Sequence, residues 1–208
     1  MGALKGSITV RRYQVRGPVP TTDRILKGIR AHAQAPIDPM SDIEKAVGWA
    51  NAEDPSDCDL SAPKVFKGES VMLGLRVDTL KPPTPVVKRL VAEKLKELGR
   101  RPNRTEKQAA KDEVMHRLRA RYYPSIKSTD LVWDVQAGRV LFWSHGKQLN
   151  EWLTSMFAKS FGLELVPLGP GLAVEGIMNV TPTPEMLMGF PGSPGRPVAG
   201  EDGEGSDE

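Results

Sequence analysis

The chain has 208 residues, a formal net charge of +3 and an excess of Gly (20) and Pro (18), which bounds it to one sizeable domain or two small ones with long loops or a disordered end. A single cysteine, Cys58, excludes an intramolecular disulfide and a cysteine-built metal site, and fits a reducing compartment. With no apolar leader and no stretch as long as a membrane span, a soluble cytoplasmic protein with no membrane partner is expected.

Ile8 to Val15 alternates as a strand, with Ile8 and Val10 on one face and Thr9, Arg11 and Tyr13 on the other. Pro18 and Pro20 end it. Thr21-Thr22-Asp23 offers N-caps for a helix bearing Ile25, Leu26, Ile29 and Ala33, which stops before Pro36. Ser41 with Glu44 three residues on predicts a short second helix to Val47. Gly48 to Lys64, rich in Pro, Asp, Ser and Ala, reads as a loop. Cys58 sits there among Asp54, Asp57 and Asp59, whose charges disfavour a thiolate, so no nucleophilic role is expected. Ser70 to Val77 alternates as a strand.

Pro82, Pro83 and Pro85 then lead into a helix from about Val86 to Leu98, with Val87, Leu90, Val91, Leu95 and Leu98 as its apolar stripe. Gly99 closes it. Thr105 caps a following helix to Ala120, striped by Ala110, Val114, Met115 and Leu118. So short a connection predicts an antiparallel helical hairpin. Asp130 to Val135 and Arg139 to Trp143 flank Gln136-Ala137-Gly138 as a β-hairpin. Lys147 to Phe161 is helical, with Leu149, Trp152, Leu153, Met156 and Phe157 inward; Gly162 ends it, and Leu163 to Val166 is a last strand. The fold class is α+β: N-terminal strand and helix elements and a ββαβ unit share one core over residues 1–173, with a basic helical hairpin inserted at 81–127. From Glu175 onward 12 of 34 residues are Gly or Pro and acids outnumber bases seven to one, so 174–208 is expected to be a disordered acidic tail, able to act as a decoy polyanion for a basic surface.

The near-neutral total conceals a polarised chain. Between Lys81 and Lys127 there are 14 Lys or Arg against 5 Asp or Glu. On the second helix Arg104, Lys107 and Lys111 recur at helical spacing, with Arg117 and Arg121 one face over. Such a stripe is the footprint of phosphate binding, in which counterion release gives salt-sensitive affinity without base reading. The bland reading is a solvated face, with Glu113 and Arg117 an ordinary i,i+4 pair. Tyr122 and Tyr123 are candidates for base stacking, for packing under a helix end or for a subunit contact. Trp133, Phe142, Trp143, Trp152, Phe157 and Phe161 stand at core positions.

Catalytic patterns are weak. Asp130 and Asp134 share a strand face but lie about 13 Å apart along it, too far for a two-metal nuclease site. His32, His116 and His145 have no ligand or triad partner at a recognisable spacing. Gly169-Pro170-Gly171 is a turn and no phosphate loop, since no Lys-Ser/Thr follows. No catalytic residue, metal or other cofactor is expected.

Pro83-Thr84-Pro85-Val86-Val87-Lys88 leading into Val91-Ala92-Glu93-Lys94 resembles the charged helical segment of the RdgC family of bacterial recombination-associated proteins. Thr105-Glu106-Lys107, Lys111 to His116, Leu131 to Val135 with Gly138-Arg139-Val140, Leu165 to Leu168, and upstream Gly48-Trp49 continue the likeness in order, over roughly residues 5 to 168. The resemblance implies a sequence-independent DNA-binding protein, nucleoid-associated, forming a homodimer with a basic lining and restraining the strand-exchange recombinase by occupying DNA, with duplex the expected form. It carries Lys88, Lys94, Arg104, Lys107, Lys111 and Arg117 over as DNA contacts; Arg89, Arg100, Arg101 and Arg121 join them from the charge pattern. The family's C-terminal part has no counterpart here, so an open dimer or a different assembly is as expected as the closed ring that the resemblance implies. Two other classes stand beside this: a module docking an acidic protein partner, and a metal-dependent nuclease.

Overall fold

A computed structural model describes residues 10–57 and 59–169. The first two residues of the predicted N-terminal strand, Cys58, Pro170-Gly171 of the predicted turn, the boundary at 173 and the acidic tail lie outside them. The chain is α+β, as expected. Strands β1 (Arg11–Arg16), β2 (Lys45–Ala50), β3 (Phe66–Lys67), β4 (Ser70–Thr79), β5 (Ser125–Asp134), β6 (Arg139–Phe142) and β7 (Glu164–Pro167) form one sheet, in the order β2-β4-β5-β6-β1-β7 with β3 added on β4. Helices α1 (Thr22–Ala31), α2 (Ala62–Val65), α3 (Thr84–Lys96), α4 (Arg104–Arg119) and α5 (Lys147–Phe161) complete it. The compact unit that holds the sheet extends to Val166.

The core follows from strand register. Val71 lies opposite Trp133, Trp133 opposite Val140, and Val140 opposite Tyr13, so four strands place one buried row on the same face. Leu73, Leu131 and Phe142 form the next row. Helix α5 lies against them: the Trp133 ring meets Phe157 at 4.9 Å and Phe161 at 5.0 Å, in tilted and edge-on geometries that suit ring quadrupoles. Helix α1 packs on α5 where Gly28 lies against Ser160; a Cβ on Gly28 would sit 2.2 Å from the Ser160 carbonyl oxygen, so only glycine permits that approach. Gly162, left-handed at φ 69°, ends α5 as the sequence predicts.

The opposite face of β4 carries a buried charge. Arg76 Nε and Nη2 donate to the two carboxylate oxygens of Asp78 at 2.7 and 2.8 Å, Nη1 donates to the Pro55 carbonyl at 2.8 Å, and Gln34 Nε2 donates to Asp78 at 3.1 Å. Asp78 keeps only 2% side-chain exposure, so each of these bonds offsets desolvation that an unpaired carboxylate would bear alone.

Several local expectations change. Ser41–Val47 is no helix: the chain from Lys45 pairs along β4 as β2, and Gly48 to Ala50, expected in a loop, completes that strand. The Ser41/Glu44 capping signal is worth less than the ladder and the burial of Trp49 that β4 provides. The predicted loop also contains α2, which returns the chain to β4 through β3. Tyr13 points into the core, where its hydroxyl bonds the buried Asn150 carboxamide, while Arg12 is exposed; the face assignment of the first strand is reversed. Burial raises the pKa of that phenol. Leu98, placed in an apolar stripe, lies beyond the end of α3 and is 43% exposed.

Candidate nucleic-acid interface

Strands β4 and β5 pair continuously from Ser70 opposite Asp134 to Thr79 opposite Ser125. Residues 80–124 leave and re-enter this ribbon at its end, so the helical hairpin α3–α4 is an elaborated β-turn, inserted where the sequence predicts a basic insert. Its start is set by Pro85 in the first turn of α3, with Pro83 at the N-cap. Helix α4 is capped by Asn103 rather than Thr105: Asn103 Oδ1 accepts the Glu106 amide at 2.8 Å and Glu106 Oε2 accepts the Asn103 amide at 2.9 Å, a complete capping box. Arg100 also pairs with Glu106. The Asn103 amide and then the Arg100 guanidinium hold the Glu106 carboxyl below its ordinary range.

The two helices share a small core of their own, Val87, Val114 and Leu118, flanked by Val86, Leu90, Val91 and Met115. Arg119, 5% exposed, ties the base of α4 to the preceding loop by donating Nη2 to the Ile43 carbonyl at 2.6 Å.

The basic residues sort into two sides. On one, Lys88 of α3 and Arg104, Lys107 and Lys111 of α4 rim a groove of about 590 Å³ whose floor is Val87, Val91, Ala92 and Leu95. No carboxylate lines it, and none of the four cations is in an ion pair among the described residues. On the other side a smaller groove of about 280 Å³ mixes Lys94 with Glu97, Glu106 and Glu113. There Lys94 bridges the helices to Glu113, and its ammonium holds that carboxyl below the usual range. Glu113 therefore spends its charge on the partner helix, not chiefly on Arg117 four residues along. Arg89 lies 3.8 Å from Glu93.

Of the ten residues expected at the interface, the structure gathers Lys88, Arg104, Lys107 and Lys111 around one groove that no carboxylate lines, although Lys111 also borders a groove that holds Asp42, Glu44 and Asp112. It engages Lys94, Arg100 and Arg89 with acids, and leaves Arg101, Arg117 and Arg121 exposed outside the lining of that groove. What sequence reading misses is the apolar floor, since Val87, Val91 and Leu95 look like pure packing; only their distribution between a buried seam and an open groove separates the roles. Tyr123 is 95% exposed and Tyr122 38% exposed, so the first packs under nothing among the described residues.

The carboxylates considered for a nuclease are otherwise employed. Asp130 is 8% exposed, and Asp134 Oδ1 accepts the Ala137 amide at 2.9 Å in the β5–β6 turn. Among the described residues no group of three or more His, Cys, Asp or Glu side chains is placed to hold a metal ion, and no helix is long and apolar enough to cross a membrane.

Compared with known proteins, residues 9–179 match the family model described as "Putative exonuclease, RdgC". No curated protein matches the chain.

Proposed function

The chain belongs to the RdgC family, and on that premise we propose that it binds DNA without reading its sequence, through phosphate contacts at the α3–α4 hairpin. The observation that carries this reading is the groove rimmed by Lys88, Arg104, Lys107 and Lys111, four cations in no ion pair among the described residues, with no carboxylate in its lining. A merely solvated helix face intersperses both signs, as the opposite side of the same hairpin does. About four to six phosphate contacts would make binding strongly salt-dependent, and contacts to phosphates carry no sequence information. Duplex is the proposed form, because cations spread along two helices suit a continuous backbone. The protein then acts in recombination by occupying DNA and limiting recombinase access, as a homodimer in the cytoplasm at the nucleoid, with no catalytic step of its own.

Anisotropy titrations with two unrelated labelled duplexes at several salt concentrations test this. Parent protein is expected to bind both alike, and Lys107→Glu with Lys111→Glu to weaken both equally and to lower the salt slope by about one for each phosphate no longer neutralised. Undiminished binding by the double variant at moderate salt overturns the assignment. Incubating DNA with the protein and Mg²⁺ or Mn²⁺ tests the non-catalytic part; cleavage that disappears in Asp130→Asn and Asp134→Asn variants would replace it. Light scattering reads the proposed dimer.

A second reading draws on the groove's floor. An acidic amphipathic helix would seat apolar residues on Val87, Val91 and Leu95 and carboxylates on the cationic rim. On that reading random duplex DNA binds negligibly at physiological salt.

A further inference from the structure

A third groove, of about 710 Å³, lies at the foot of the hairpin. The registers Lys45 opposite Thr79, Thr79 opposite Ser125, and Val77 opposite Lys127 set these side chains in two neighbouring rows on the core face of the sheet. Deeper along the sheet this face is sealed by aromatic rings, but here α5 covers it only with Leu149 and Trp152, both half-buried. Strand β6 stops with Phe142 opposite Leu131, so among the described residues no strand flanks Ser125 to Thr129 on the outer edge, and the groove opens there.

Its chemistry is one-sided. Two ammonium groups, from Lys45 and Lys127, face hydroxyls of Thr79, Ser125 and Thr129 over an apolar floor, and no carboxylate lines it. Neither lysine belongs to an ion pair among the described residues; Lys45 Nζ rests 5.7 Å from the centre of the Trp152 ring. An exposed cation–π contact is weaker than stacking a base on the same indole. A flat ring arriving with its own anion would therefore take the indole face and release the ammonium to the anion.

We propose that this groove holds an unpaired nucleotide of a nucleic-acid strand, its base on Trp152 and its phosphate between Lys45 and Lys127. It is a site separate from the duplex-binding face of the hairpin. The strand, rather than a free nucleotide, is the chosen ligand because the two grooves are close along the chain at the hairpin's foot, Thr79 lining this one and Thr84 the cationic one. That choice of source rests on the DNA-binding reading above; the pairing of base and anion does not.

The test uses the full chain with a labelled oligothymidylate, an abasic strand of equal length, a duplex and thymidine monophosphate. Trp152→Leu is expected to weaken oligothymidylate binding about tenfold, the scale of one base stack, and to leave duplex binding unchanged. Trp152→Phe, which keeps a stacking face, should restore most of it. Lys45→Gln with Lys127→Gln should weaken the oligothymidylate and the abasic strand together. Equal binding of abasic and base-bearing strands by the parent, or parent-like oligothymidylate binding by Trp152→Leu, overturns the proposal. So does an equal loss of duplex binding in Trp152→Leu, or a monophosphate that binds as tightly as the strand. Failure of the hairpin reading shows separately, as a Lys107→Glu/Lys111→Glu variant that keeps its duplex affinity.

Discussion

The sheet unit and the helical hairpin are built on opposite terms. The sheet unit buries Trp49, Trp133, Phe142 and Phe157 with at most 1% exposure and encloses an ion pair with its hydrogen bonds complete. The hairpin helices bury only four apolar residues, Val87, Ala110, Val114 and Leu118, and have no buried ion pair and a coat of cations. Only the first has apolar area to spare for stability; the second has surface to spare for a ligand. The contrast teaches where each kind of substitution should be felt: the sheet answers to volume and desolvation, and the hairpin to charge.

The largest effect expected is from Arg76→Ala. It strands the Asp78 carboxylate in a site of 2% exposure, and unfolding free energy should fall by about 3–5 kcal/mol in urea titration. A loss below about 1 kcal/mol would mean that the pair is no part of what distinguishes the sheet. Next, Leu73→Ala should cost about 2–5 kcal/mol globally, whereas Val114→Ala, removing less apolar volume from a thin seam, should cost about 1–2 kcal/mol. Amide exchange separates the two, with Val114→Ala accelerating the hairpin and leaving the sheet protected; equal acceleration of both would make them one cooperative unit.

Acid should sharpen the comparison further. Glu106 and Glu113 have folded pKa values below the ordinary 4.5, so the stability they contribute is present above that value and is lost as pH falls through their lowered values. Hairpin amides should therefore loosen below about pH 4.5 before those of β4 and β5, and Glu106→Gln should remove part of that pH dependence. A hairpin whose relative protection is level from about pH 6 to about pH 3 would contradict it. The smallest effect on stability, within about 0.5 kcal/mol, is expected for Lys107→Glu with Lys111→Glu, since both side chains are exposed and in no ion pair among the described residues. A larger loss would give these lysines a structural part.

Much of the fold is legible along the chain because its signals are local. The basic insert, the antiparallel helices, the turn at Gly138, the span of α5 and its glycine stop each follow from neighbours within a few residues. The errors fall where partners are distant. Lys45–Ala50 has weak local preference and becomes a strand only because β4 offers it an edge, and Tyr13 turns inward because Asn150, far along the chain, takes its hydroxyl.

The candidate interface divides in the same way. That residues 81–127 are cationic and helical is written in composition and periodicity, since charge counts add along a chain whatever its fold. Which cations remain free is a tertiary matter. Pairing of Lys94 with Glu113 across two helices, and of Arg100 with Glu106 around a cap, removes some from the positive face and leaves Lys88, Arg104, Lys107 and Lys111 together. Lys45, Lys127 and Trp152 belong to three elements and read one by one as two surface lysines and a core indole. Strand register and the crossing of α5 make them neighbours, because a side chain's electrostatic role depends on what lies within a few ångströms of it, and for these three that distance is closed only by folding.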